Sequence, residues 1–409
     1  MKHASGQHSS SLDSVDELGQ FAEPNNISDG NDDPSSANSE AAAAAGISRR
    51  PRNRRSGGWG WQVVGIVAEI LVTLGLICGL YVVWQLWWTG VEAERIQNET
   101  RQSVGWSDPT ASDTTTIAAA QEGDPPVQPE NPQDGDLIAE IYIPRFGNQW
   151  VRNIVEGTGA DQLNKHGMGH YSDSQLPGEL GNFAVAGHRT GYGQPLGDVD
   201  KLQEGDSIVI RTQDYWYVYK YTSYKIVLPE DTYVVAPNPE DPTVAATKRM
   251  ITLTTCEPKY TAPTHRWIVF GELQYWAKVS DGIPQELSTT DSNGAVKFTN
   301  TEEVSAAAQL QSLQPLIMML LIAYVVLFLA AAVVWRWPAR RAIRLGERRK
   351  PDLSIYGGLT RLQPGVFPVR LLLMALLLVA GAAALFQWGF PWAASTIPFL
   401  RDMSSYVTV

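Results

Sequence analysis

Three long apolar runs constrain this chain more than any other feature of its sequence. They cover residues 58–89, 315–336 and 366–388. Each meets the roughly 20 mainly apolar residues that a helix needs to cross the hydrocarbon core of a bilayer, so each is read as a transmembrane helix. In the first run, Trp59, Trp61, Trp84, Trp87 and Trp88 stand near the two ends, where amphipathic rings favour the headgroup region. Glu69 alone places a charge inside that run. A carboxylate at such depth is costly, which marks Glu69 as a functional group, a contact between helices or a snorkelling side chain.

Basic residues set the expected orientation. The net charge is −11, yet arginines gather in two blocks. Arg49, Arg50, Arg52, Arg54 and Arg55 precede the first run; Arg336, Arg340, Arg341, Arg344, Arg348, Arg349 and Lys350 lie between the second and third. Such blocks mark cytoplasmic flanks, and the two agree: the N-terminus is inside, and residues from about 90 to 314 are outside. The first run is too long for a signal-peptide core, and no small-residue cleavage site follows Trp88, so it reads as an uncleaved anchor. An acidic chain with its arginines at the membrane offers no basic face to nucleic acid.

The remaining segments divide by composition. Residues 1–57 are rich in Ser, Asn, Asp and Ala ahead of the basic stop, too poor in large apolar groups to bury a core, and are expected to be a disordered cytoplasmic tail. Residues 90–135, ending in Pro125, Pro126, Pro129 and Pro132, read as an extended linker, and 277–314 as a shorter one. Residues 337–365 form a basic cytoplasmic loop and 389–409 an extracellular tail. One folded unit is left, residues 136–276, near the usual size of a domain. Its apolar stretches are short: Leu137 to Pro144, Asn182 to Ala186, Ser207 to Thr212, Tyr215 to Val227, Met250 to Thr255 and Trp267 to Leu273. They are rich in Val, Ile, Thr and aromatics, with Gly, Pro and Asp between them. The fold class is therefore mainly β, a small closed barrel, beside three transmembrane helices.

The chain has two cysteines. Cys78 falls inside the first apolar run and reads as packing. Cys256 is the one thiol of the extracellular domain, in a compartment that drives cysteines into disulfides unless they are used. It ends the strand-like run Ile251 to Thr255, in which Ile251 and Leu253 share one face and Thr252 and Thr254 the other. A buried structural cysteine is the competing reading. A nucleophilic thiol needs a base, commonly His, and a group to hold the developing oxyanion. Of six histidines, His3 and His8 lie on the wrong side of the membrane. His166 and His170 fall in a Gly-rich, solvated stretch, and His265 precedes Arg266. His188 follows the apolar run Phe183 to Gly187, a strand end like that of Cys256.

Thr252-Leu-Thr-Thr-Cys256 resembles the strand end on which sortases present their nucleophile. Arg266 stands ten residues later, where that family has its arginine, and Gly181-Asn-Phe-Ala-Val-Ala-Gly-His188-Arg-Thr190 looks like its histidine strand. Val155-Glu-Gly-Thr-Gly, Gly169-His-Tyr171 and Leu176-Pro-Gly-Glu also match. The flanks of His188 and Cys256 are most similar to class E sortases of actinobacteria. The resemblance covers the extracellular domain, about a third of the chain.

That resemblance implies a closed antiparallel sortase-type β-barrel and a cysteine transpeptidase. Cys256 would attack the Thr–Gly bond of a C-terminal sorting motif on a secreted protein, His188 would move protons, and Arg266 with a backbone N–H near Thr255 would hold the oxyanion. An amine of a peptidoglycan precursor, of lipid II type, would resolve the thioester. Thiolate–imidazolium and thiol–imidazole both stand as resting states. Tyr171 falls where class E members place a tyrosine that favours Leu-Ala-x-Thr-Gly over Leu-Pro-x-Thr-Gly; an aromatic plug in the barrel wall is the alternative. Neither a cofactor nor a metal is implied. The C-terminal pair of spans departs from the simplest layout and leaves open a class C-like pilin polymerase, although Asp108-Pro109-Thr110 lacks the aromatic of a lid motif. A non-catalytic surface-tethered β-domain that binds wall proteins, and a hydrolytic cysteine peptidase, are the remaining alternatives.

Overall fold

The computed structural model describes residues 58–107, 116–290, 292, 294–299, 312–347 and 351–403. The expected disordered tail with its Arg49 to Arg55 block lies outside these residues, as do His3, His8, Asp108-Pro109-Thr110 and the Arg348 to Lys350 end of the second basic block. Among the described residues, three helices are long and apolar enough to cross a membrane. The first begins as α1 (Trp59–Val83), passes through a π-helical turn at Trp84–Trp88 and continues as α2 (Thr89–Val104). Together they make one helix of 46 residues, about 69 Å long at the standard rise. The short helix α3 (Ala160–Lys165) belongs to the barrel region.

The other long helices are α4 (Gln314–Val334) and α7 (Phe367–Ala384, prolonged to Thr396), joined through α5 (Pro338–Arg344) and α6 (Ile355–Leu362). Near the barrel, Trp84 is buried against Phe390 and Ala394, and Trp88 meets Phe386 edge-on. Toward the other end, the Glu69 carboxylate accepts hydrogen bonds from the backbone N–H of Ile355 (2.6 Å) and Tyr356 (3.3 Å). These are the first residues of α6, where a helix leaves its N–H groups without intrahelical partners. Glu69 is thus a contact between helices.

Eight strands close the barrel in the order β1-β2-β3-β4-β7-β8-β6-β5. They are β1 (Leu137–Tyr142), β2 (Val151–Glu156), β3 (Met168–His170), β4 (Gly181–Gly187), β5 (Ser207–Arg211), β6 (Tyr215–Val227), β7 (Arg249–Glu257) and β8 (His265–Lys278). β2–β3 and β4–β7 pair in parallel and the rest antiparallel. Inward residues such as Ile141, Ile154, Phe183, Ile210, Tyr219 and Leu253 fill the core. Two register shifts along β6 and β8 mark bulges, which bend long strands enough for closure.

Two segments expected to be linkers are built into the fold. Residues 90–104 are helix α2, whose Gln97 accepts from the Asn153 N–H through Oε1 (3.0 Å) and from Asn153 Nδ2 through its carbonyl (3.0 Å). Their polarity suggested a spacer, yet it supplies the contacts that dock the helix on β2. Residues 116–126 lie along the barrel: Ala118 donates to Ile283 O, Gln121 to Trp276 O, and Pro126 O accepts from Tyr217. After β8, Ile283 and Leu287 join Ala118, Tyr142 and Trp216 in a second apolar cluster on the outer barrel face, followed by the hairpin β9 (Ser288–Thr290) and β10 (Val296–Phe298). His170, expected in a solvated loop, is in β3. It is 2% exposed, with Nδ1 2.8 Å from Glu156 Oε2 and Nε2 2.9 Å from Ser174 Oγ. Three strand residues among glycines were too short a run to show in the sequence.

The outer face also holds a buried ion pair. Glu140 on β1 lies opposite Arg211 on β5, Arg211 Nη1 donates to Glu140 Oε2 at 2.9 Å, and the Tyr142 hydroxyl donates to the same oxygen at 2.6 Å. Arg211 also donates to Ser107 O and lies 5.7 Å from the Trp106 ring, so the pair pins the end of α2. Removing one partner leaves a buried charge uncompensated. Glu140→Leu is expected to destabilise the barrel by about 3–5 kcal/mol, and Glu140→Leu with Arg211→Leu by much less, read by chemical denaturation.

Candidate active site

Two strand pairings bring the expected residues together. β7 and β8 run antiparallel with Cys256 opposite Arg266, which makes their Cβ atoms neighbours about 4.5–5.5 Å apart. β4 runs parallel to β7 with Ala186 beside Thr254. Two residues further along this register, past the end of β4, stands His188. Side chains alternate along a strand, so Ile251 and Leu253 enter the core while Thr252, Thr254 and Cys256 face outward. Small residues opposite them, Ala184 and Ala186 of β4, leave space above the sheet. A cavity of about 40 Å³ lies there, lined among others by Cys256, His188, Arg266, Tyr171, Thr254 and Thr255.

His188 is 4% exposed. Its Nε2 lies 2.7 Å from Asn164 Oδ1 on α3, and its ring packs 5.0 Å from that of Tyr192. Burial without a charged partner pushes the imidazole down to about 4, because desolvation penalises the cation. The ring is therefore neutral at pH 7. Since Asn164 Oδ1 can only accept, Nε2 carries the proton and Nδ1 keeps its lone pair.

Arg266 is buried beside Cys256. Nη1 donates to its neighbour's carbonyl, His265 O, at 3.1 Å, whereas Nη2 is buried with no hydrogen-bond partner among the described residues. An unsatisfied cationic donor is costly in such a place and suits an oxygen that arrives with a ligand. Tyr171 is half-buried and its hydroxyl is 3.0 Å from Thr254 Oγ1; burial pushes its phenol above the usual range. With Thr254 and Arg266 it also lines a second, adjoining cavity walled by Leu228, Thr232 and Val235. The Thr255 hydroxyl donates to Gly187 O at 2.7 Å, so it braces the strand end that carries His188.

Three neighbours were given no role by the sequence. Asn164 sits in a six-residue helix that periodicity does not reveal. Arg189 Nη1 donates to Cys256 O at 3.3 Å, its guanidinium pairs with Glu257 and lies 4.8 Å from the Trp267 ring. It clamps the turn after the thiol. Tyr192, like Arg189, stood in the sequence among the flanks of His188 that resemble class E sortases, without a role of its own. His166, His170 and His265 do not line the cavity.

The chain has relatives among known proteins. The family model described as Sortase domain matches residues 141–274. Sortase SrtE2 of Streptomyces coelicolor is 36% identical over 255 residues, which cover 59% of this chain and 95% of the relative. Sortase SrtE1 of the same organism is 32% identical over 248 residues, covering 58% of this chain and 65% of the relative. Among solved structures, sortase E from Streptomyces avermitilis shares 40% identity with a TM-score of 0.35, covering 38% of this chain and 99% of its own. The chain belongs to the sortase family of cysteine transpeptidases, with class E sortases among its relatives.

Proposed function

We propose that Cys256 is the nucleophile of this transpeptidase, His188 its proton carrier and Arg266 its oxyanion donor. In this reading the barrel works outside the cell on a membrane anchor. The observation that carries it is the buried Arg266 Nη2, without a hydrogen-bond partner among the described residues, in the same cavity as the Cys256 thiol and a neutral His188. A neutral imidazole is a base, so His188 can take up the thiol proton during attack. Attack forms the S–C bond as the thiol proton passes to His188, and Arg266 Nη2 binds the oxygen that becomes negative. Collapse breaks the C–N bond, and His188 returns its proton to the leaving amine. The thioester is then attacked by a second amine, which gives its proton to His188; the departing sulfur takes that proton back.

Membership of the family supports a substrate class. A secreted protein with a C-terminal Leu-Ala-x-Thr-Gly or Leu-Pro-x-Thr-Gly motif is cut between Thr and Gly, and the acceptor is an amine of a lipid II-type peptidoglycan precursor. A cavity of about 40 Å³ accommodates the reacting carbonyl, and the adjoining one, of about 20 Å³, has room for no more than a small group beside it. That Tyr171 lines both cavities supports a contact between it and the motif. Thr255 acts through the Gly187 carbonyl on the position of His188.

Full-length protein in nanodiscs, given labelled peptides of both motifs with and without an amine acceptor, is expected to cleave and to transfer. Absence of cleavage by wild type overturns the reading, activity in Cys256→Ala removes the nucleophile assignment, and cleavage that never transfers indicates a peptidase. Arg266→Lys is expected to lower kcat by about 10²–10³ with little effect on KM, as for loss of an oxyanion donor. The pH profile gives a third check. His188 must be neutral to accept the thiol proton, and its depressed folded value keeps it neutral down to about 4. The acid limb of kcat/KM assigned to it is thus expected near pH 4 rather than near the free value of about 6.5.

A further inference from the structure

The loop that carries His188 is held in an unusual backbone conformation. Four consecutive residues have positive φ: Gly191 (68°), Tyr192 (49°), Gly193 (77°) and Gln194 (37°). Glycine adopts such angles freely, but a bulky Tyr does so only where its surroundings impose them. Those surroundings include the anchor helix at the point where its apolar run ends. The Tyr192 N–H donates to Thr89 Oγ1 at 2.8 Å, and the Thr89 hydroxyl donates onward to Gln85 O at 2.8 Å. Thr89 is 2% exposed. The contact is tight on both sides. A Cβ on Gly90 would stand 3.2 Å from Gly193 N, and one on Gly191 would stand 2.9 Å from Gln85 Nε2. Tyr192 in turn packs its ring on His188, and Leu196 donates its N–H to His188 O at 3.0 Å.

We propose that Thr89 is a positioning residue for His188, so that the helix anchoring the chain also sets the working geometry of the catalytic loop. This rests on the proton-carrier reading of His188. The chain of contacts is short: anchor hydroxyl, Tyr192 backbone, Tyr192 ring, imidazole. Loss of the hydroxyl leaves a buried N–H without its acceptor, and the cheapest remedy is for the loop to turn that N–H toward water. Tyr192 then leaves the face of His188, which becomes wetter and less well aimed. Cys256 and Arg266 line the same cavity but sit on β7 and β8, outside the disturbed loop.

The test uses the full chain in nanodiscs with Thr89→Val, Thr89→Ser and Gly90→Ala. Val keeps the shape without the acceptor, Ser keeps the acceptor, and Ala presses on Gly193 from a helical site that tolerates it. Thr89→Val is expected to lower kcat about 10-fold with KM within about twofold, and Ser to restore most of it. Histidine-labelled NMR provides a readout independent of substrate: the His188 midpoint is expected to rise in Thr89→Val from about 4 toward the free value. An unchanged His188 titration in folded Thr89→Val overturns the proposal, as does wild-type kcat in that variant. If Thr89→Val does not fold, Gly90→Ala decides by the same two measurements. Activity retained in His188→Ala, by contrast, removes the proton-carrier reading itself, and the proposal with it.

Discussion

The parallel pairing of β4 with β7 is the contact on which the site depends. Neighbouring parallel strands end on the same side of a sheet, so the residues that follow them emerge together. β4 ends at Gly187 and β7 at Glu257, and the register with Ala186 beside Thr254 delivers His188 and Cys256 to one edge. β8 then starts antiparallel from that edge and adds Arg266. A slip of one residue in either pairing would turn the thiol or the arginine into the core. Thr252 and Asn182, joined by a buried hydrogen bond of 2.7 Å, lock β4 to β7 midway along and oppose such a slip.

The electrostatic character of the site follows from its burial. His188 has a neutral amide rather than a carboxylate on its Nε2, so nothing nearby compensates an imidazolium. Arg189, close behind the thiol, is largely occupied by Glu257 and the Cys256 carbonyl. Arg266 stands opposite Cys256 on the neighbouring strand with its Nη2 buried and without a hydrogen-bond partner among the described residues, as is Nε of Arg189. A site that is nearly neutral at rest and positive at one point suits a reaction whose charge develops on a carbonyl oxygen and disappears again when the amine leaves.

Much of this was legible in the sequence. Cys256, His188 and Arg266 stand at strand ends that alternation reveals, and all three line one cavity together with Tyr171 and Thr255. The apolar runs marked the three long helices. The failures share a cause. Helix α2, strand β3 and the segment at 116–126 carry few large apolar residues, and what fixes them is polar complementarity across the fold: Gln97 with Asn153, His170 with Glu156, Pro126 with Tyr217. Each such contact joins residues far apart in sequence or hidden in a short element, and local periodicity does not register it. Asn164 escaped notice for the same reason.

The unbroken run from Trp59 to Val104 makes the anchor a strut instead of a leash. In the proposed membrane arrangement, α2 alone extends about 24 Å beyond the apolar part of the helix. Docked along the barrel by Gln97 and Arg101, it would there hold the cavity at one height above the bilayer and in one orientation. A tethered enzyme on a flexible stalk would sample a wide shell of positions. In that proposed arrangement the cavity would keep nearly to a plane, and a substrate protein would have to bring its cleavage site there by the length of its own spacer.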